Sequence, residues 1–341
     1  MVYKHIVLPG GASRGLIDYG ALSYYIKNNH VSLDNIESIH GTSIGAIMGA
    51  LLCLKHPCNE YDDYLINCMY DKIFYIDPEN IVNILQSNGL FHSDCFINYL
   101  KPFLEANDMN VSITLKEFYE KTNISLYIYV TDVRTISKTQ LSHYTHPDLQ
   151  LVEAVKGSAS LPGLFSPLIY DEKLYIDGGF VCNYPIKECI ETEGVIPSEV
   201  IGINHVYPPP GNMVDVKTFN ILDLVFYILS CLIEKLFLEN KACDKVSELI
   251  KETTQLNVVF DEYLPTISEL LESMVNKDLR KKNITEGYLC GEKYYNSHLS
   301  DNSADANNAG ANADAGANAD VANADAGANA DAGANIAVAI E

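Results

Sequence analysis

No C-x-x-C pair occurs among the nine cysteines of this 341-residue chain, and their number is odd. Both facts argue against a disulfide framework or a zinc site, so the thiols are expected to be reduced and mostly buried, as in a cytoplasmic enzyme. The amino terminus lacks a basic region followed by an apolar segment. It runs directly into the strand-like His5–Leu8, which speaks against a cleaved secretion signal. A bilayer-spanning run is missing as well: Phe219 to Leu238 is broken by Asp223, Glu234 and Lys235, and its unbroken part, Leu224 to Ile233, is ten residues long. About 20 are needed to span, so the segment reads as a core helix, with interfacial anchoring or dimerisation as the sharper alternative. Neither G-x-G-x-x-G nor G-x-x-x-x-G-K-[ST] is present, which leaves nucleotide binding without motif support. With no cluster of metal-ligating residues in view, no cofactor or metal is expected, calcium included.

Basic residues are few. Lys and Arg total 23 against 45 Asp and Glu, a net charge of −22, which makes nucleic acid an unsuitable partner. Residues 301–341 carry six Asp and one Glu with no Lys or Arg, in Ala-Asn-Ala-Asp-Ala-Gly repeats. Such a composition cannot offset chain entropy, so a disordered acidic tail is expected, a solubiliser or spacer that repels anionic membranes. The alternative of a stacked solenoid lacks its periodic Leu, Ile or Val. The rest, 48% apolar overall with 13 Pro and 21 Gly, suffices for one large core.

Three segments carry chemistry. The first is Gly41-Thr42-Ser43-Ile44-Gly45, a G-x-S-x-G pentad between a short apolar stretch and an apolar helix candidate. The glycines allow a strand to turn sharply into a helix with a strained, exposed serine between them; the plain alternative is a capped helix start. The second is Gly10-Gly11-Ala12-Ser13-Arg14-Gly15, between a strand and a helix, where successive N–H groups and a helix N-terminus suit a phosphate or an oxyanion. A plain tight turn is its bland reading. The third is Lys173–Asp177 followed by Gly178-Gly179 and Asn183-Tyr184-Pro185, an acid at a strand end freed by glycines, or simply an Asp capping a turn. Together they supply a nucleophile, a base and oxyanion donors.

These motifs in this order resemble the patatin-like phospholipase family. The likeness runs from residue 4 to about 205 and takes in Glu153 to Pro167, with its Gly157-Ser158-Ala159-Ser160-Leu161-Pro162-Gly163, and the core strand Ile128-Tyr129-Val130-Thr131-Asp132-Val133. The resemblance implies a lipid acyl hydrolase with a Ser43–Asp177 dyad and no histidine, an oxyanion loop at Gly10, Gly11, Ala12, Ser13, Arg14 and Gly15, and a patatin-like three-layer α/β/α sandwich. Phospholipid or another acyl-ester lipid is the partner it implies, met by a cytoplasmic protein peripheral to membranes. Ala12 stands where the family has a third glycine; it keeps its N–H, but its methyl group penalises a left-handed backbone by about 1–2 kcal/mol if the loop needs one.

Strand candidates near 4–8, 36–40, 125–130, 173–177 and 200–204 alternate with helical segments, the βαβ pattern of a mostly parallel sheet with helices on both faces. Gly10, Ser43 and Asp177 are expected at the strands' carboxyl ends. The domain then runs over 1–300, with a helical part over 206–300, ahead of the 301–341 tail. Within it, Pro57–Asn110 is an ordinary helical insertion or a lid, and Lys277, Arg280, Lys281 and Lys282 read as the cationic end of a helix begun near Thr266. His205 is the rival base of a conventional triad, since α/β hydrolases place the histidine last. A rate rising through a carboxylate-like ionisation, away from the imidazole value, is expected of the dyad. An acyltransferase on the same dyad and an inactive lipid- or protein-binding relative remain as other classes.

Overall fold

The computed structural model describes residues 2–74, 89–91, 94–192, 194–207, 224, 227–228, 244–260 and 267–316. Eight strands form one sheet: β1 (His5–Leu8), β2 (Ser38–Thr42), β3 (Ser125–Asp132), β4 (Ser137–Leu141), β5 (Leu168–Tyr170), β6 (Lys173–Asp177), β7 (Val200–Val206) and β8 (Thr254–Val259). Their order is β5-β6-β3-β2-β1-β7-β8, with β4 also on β3. The pairs β1–β2, β1–β7, β2–β3 and β7–β8 are parallel; β3–β4, β3–β6 and β5–β6 are antiparallel. Every residue of β1 and β2, and all but the first of β3, is buried. Strands covered on both faces read as near-continuous apolar runs, as β1 and most of β3 do, whereas the equally buried β2 is Ser-Ile-His-Gly-Thr.

The principal helices are α1 (Gly15–Lys27), α2 (Ile44–Cys53), α3 (Cys58–Asn67), α4 (Cys95–Ala106), α5 (Leu151–Ser158), α6 (Ile267–Val275) and α7 (Lys277–Gly316). The chain divides into two compact units, Met1–Tyr294 and Tyr295–Glu341. In the second, the backbone is helical as far as Gly316, and residues 317–341 of the expected tail lie outside the described residues. So does Phe219–Leu238, save Leu224, Tyr227 and Ile228.

Three readings change. The strand β6, expected among parallel neighbours, runs against β3. Its placement follows from the register: β4 takes one edge of β3 over Ile128–Asp132, so β2, paired with Ser125–Tyr129, and β6, paired with Val130–Asp132, share the other edge end to end. The Lys277–Lys282 cluster begins a helix instead of ending one. There Arg280, 4% exposed, donates to Ile66 and Cys68 carbonyls at the end of α3 and to Ser273 and Met274 carbonyls at the end of α6. Finally, the part expected to be helical over 206–300 contains the strand β8; the described part of Pro57–Asn110, in contrast, is the packed insertion expected of it, with Tyr61, Leu65, Phe96, Tyr99 and Phe103 buried, and residues 75–88 and 92–93 lie outside the described residues. Seven described cysteines are unpaired and five of them buried. Among the described residues no helix is long and apolar enough to cross a membrane.

Candidate active site

The end-to-end meeting of β2 and β6 creates the site. Thr42 closes β2 opposite Tyr129, Asp177 closes β6 opposite Val130, and Ser43 follows Thr42 directly. Ser43 takes φ 54° and ψ −121°, a conformation that a non-glycine residue avoids and that costs about 1–3 kcal/mol. The turn is held from behind: Ser43 N–H donates to Ser158 Oγ at 2.9 Å, and the Ser158 hydroxyl donates to the Tyr129 carbonyl at 2.6 Å. Gly45 allows α2 to begin against the loop, since a Cβ there would stand 2.5 Å from the Leu8 carbonyl oxygen.

Ser43 Oγ donates to Asp177 Oδ2 at 2.7 Å. The other carboxylate oxygen accepts Gly179 N–H at 2.7 Å, and Thr131 Oγ1 donates to the Asp177 carbonyl at 2.8 Å. Asp177 is 2% exposed and Ser43 7%. Burial pushes the Asp177 carboxyl up to about 6, against the lowering effect of the hydrogen bonds from Ser43 and Gly179.

The glycine-rich loop lies against this pair; a Cβ on Gly10 would be 3.3 Å from Ser43 Cβ. Not all its N–H groups are available. Gly10 N–H goes to the Asn183 carbonyl, Arg14 N–H to that of Gly11, and Gly15 N–H to those of Ala12 and Ser13. Asn183 also donates its side-chain amide to the Gly10 carbonyl, so the Asn-x-Pro that follows the acid clamps the loop's first residue. Among the described residues no hydrogen bond occupies the N–H groups of Gly11, Ala12 and Ser13. Ala12 does adopt the left-handed conformation, φ 48°, so the methyl penalty of about 1–2 kcal/mol is present and the loop must be held by its surroundings.

A family model for patatin-like phospholipase matches residues 6–190. The chain belongs to the patatin-like phospholipase family. The probable lipid hydrolase 463L of Invertebrate iridescent virus 6 is 29% identical over 191 residues, which is 55% of this chain and 64% of that protein. Triacylglycerol lipase 5 of Saccharomyces cerevisiae is 27% identical over 172 residues, 47% of this chain and 22% of that protein. The chain thus spans less than two thirds of the length of these relatives. Among solved structures, VipD from Legionella pneumophila matches with TM-score 0.47 and 16% identity, over 87% of this chain and 67% of that one. The patatin-like match takes in β1 to β6 and ends before β7 and β8.

The rival histidine is placed elsewhere. Nε2 of His205 is bound to Asp18 Oδ1 at 2.8 Å and Nδ1 to the Tyr207 hydroxyl at 3.0 Å, whereas the Ser43 hydroxyl donates to Asp177. His40, three residues before Ser43, is a strand residue bonded to the Tyr129 hydroxyl, and burial pushes its imidazole down to about 3. Sequence reasoning missed the roles of Ser158, Asn183 and Asp18. The segments holding the first two resemble the family's; no local spacing ties Asp18 to a partner 187 positions away.

Proposed function

We propose that the chain is a lipid acyl hydrolase of the phospholipase A type, cleaving ester-linked fatty acids with a Ser43–Asp177 dyad. One observation carries the reading: the 2.7 Å hydrogen bond from a strained serine to a carboxylate that burial has moved to about 6, into the range where it serves as a base near neutral pH. Asp177 accepts the Ser43 proton as Oγ attacks the ester carbonyl, and the negative charge on the carbonyl oxygen is received by the N–H groups of Gly11 and Ala12. Asp177 then returns the proton to the departing alcohol, leaving the acyl group on Ser43. Water, deprotonated by the same carboxylate, releases the fatty acid. Family membership and the lipase and lipid-hydrolase names of the relatives support a lipid ester as substrate, approached by peripheral contact with a membrane.

The test measures fatty-acid release from mixed phospholipid vesicles and hydrolysis of a short-chain ester by folded wild type, Ser43→Ala and Asp177→Asn. Both variants are expected to lose at least about 10³-fold in kcat. Full activity in Ser43→Ala would end the proposal. In the wild type, kcat/KM is expected to rise tenfold per pH unit up to about 6 and then level off.

A further inference from the structure

We propose that His205, held by Asp18, is a positioning residue that sets the oxyanion loop from outside the family-matched segment. The inference rests on the reading that Gly11 and Ala12 receive the oxyanion.

The loop contains a left-handed alanine, and such a residue persists only where its neighbours over-determine it. Asn183 holds the loop at Gly10. A further support is the His205 ring, which lies directly against the next residue: a Cβ on Gly11 would stand 2.8 Å from His205 Cε1. Asp18, as a carboxylate, can only accept, so Nε2 of His205 carries the hydrogen and the Tyr207 hydroxyl can donate to Nδ1. The two bonds fix the orientation of the ring. Phe260, just past β8, meets the ring edge to face at 4.9 Å between centroids. Arg14, at the far end of the loop, lays its guanidinium carbon 4.3 Å from the Phe260 centroid and 5.6 Å from that of Tyr207. Gly11 and Arg14 therefore rest on one assembly supplied by the ends of β7 and β8.

Asp18 ties that assembly to α1, which starts where the loop stops. The His205 and Asp18 side chains are 3% and 5% exposed, and among the described residues Asp18 Oδ2 has no hydrogen-bond partner. Among the described residues the bond to His205 is thus the one hydrogen bond on the Asp18 carboxylate, and removing the imidazole leaves that buried group without a partner. A ring that presses on Gly11 and is locked by a group that depends on it acts on the direction of the loop's N–H groups without touching substrate.

The experiment combines hydrolysis of a short-chain p-nitrophenyl ester, the rate of Ser43 labelling by a fluorophosphonate, and amide hydrogen exchange at Gly10, Arg14 and Gly15, the loop residues whose N–H groups are hydrogen-bonded. His205→Ala is expected to lower kcat about tenfold or more with KM within twofold, to slow labelling in step, and to leave the pH midpoint near 6. Exchange at the loop amides accelerates. In His205→Gln the side-chain amide reaches Asp18 as Nε2 does, and most of kcat and of the protection returns; this variant carries the test if His205→Ala does not fold. Gly11→Ala is expected to cripple the wild type but to cost little more in His205→Ala, because the ring it would strike is gone. A His205→Ala enzyme within twofold of wild type with unchanged loop exchange overturns the proposal. Equal losses in the Ala and Gln variants overturn it too, and a shifted pH midpoint would make His205 a base instead. If the wild type neither turns over ester nor takes the label, the hydrolase reading fails, and the exchange rates still decide what His205 does to the loop.

Discussion

Burial and catalysis make opposite demands on Asp177. The proposed dyad needs the ionised carboxylate, so rate is expected to be gained as pH rises through about 6. Stability runs the other way. The folded-state value lies above the unfolded one of about 3.9, so the native protein holds this proton more tightly than the unfolded chain does. The penalty is absent below about pH 4, grows between about 4 and 6, and is complete above about 6. At about 1.4 kcal/mol per pH unit it amounts to a few kcal/mol. Asp177→Asn keeps a hydrogen-bonding partner for both Ser43 and Gly179, and is expected to raise Tm by several degrees at pH 7 with no gain at pH 4, followed by thermal unfolding at the two pH values. A lower Tm at pH 7 would show that the charge is better solvated than its burial implies. The same shift alters how the pH profile is interpreted: a buried carboxyl at about 6 sits close to the ordinary imidazole value of about 6.5, so the midpoint alone does not separate dyad from triad as the sequence had suggested, and substitution of Asp177 must.

Helix ends, more than helix faces, organise the region around α3, α6 and α7. Arg280 satisfies carbonyls at two helix C-termini at once, and its guanidinium carbon lies 4.7 Å from the Tyr70 ring centroid. Arg280→Ala is expected to destabilise by about 3 kcal/mol or more in urea unfolding, since carbonyls would be left buried without donors. Lysine should recover little of this, lacking the planar fork that reaches four acceptors. None of this was visible as a pattern; four cations in a row of six read equally well as the end of a helix. The strands divide in the same way. β1 and β3 were legible because both faces are buried, which leaves an apolar run, whereas the buried β2, Ser-Ile-His-Gly-Thr, was placed by the G-x-S-x-G pentad that follows it. β8 was passed over although Leu256 and Val258 are buried and Val259 is exposed, because a short alternation does not name its neighbour. The direction of β6 was illegible for a related reason: strand polarity is fixed by what pairs across the sheet, and Asp177 reaches Ser43 because β2 stops where β6 arrives.

Charge belongs to the whole molecule. Of the net −22, the segment 301–341 contributes seven acids and no base, an excess that acts at a distance of about one Debye length, ~8 Å at physiological salt. Deleting 301–341 is expected to leave hydrolysis of a soluble short-chain ester unchanged and to strengthen binding to anionic vesicles, an effect that disappears at high salt; a vesicle flotation assay at two ionic strengths checks it. At this scale the sequence was most informative about the candidate site, since the glycines, Ser43 and Asp177 that the fold brings together sit in local motifs. It was least informative about what the motifs rest on, since Asp18 and His205 lie 187 positions apart. The helix α1 shows how far that dependence extends. A Cβ on Gly20 would stand 2.2 Å from the Ile284 carbonyl oxygen, and one on Gly287 would stand 2.0 Å from that of Ile17, so α1 and α7 touch backbone to backbone. The stretch that carries the family's signature is therefore not portable: grafted into another chain as residues 6–190, it would bring Ser43, Asp177 and the glycine-rich loop but leave behind the helix and strands moulded against them.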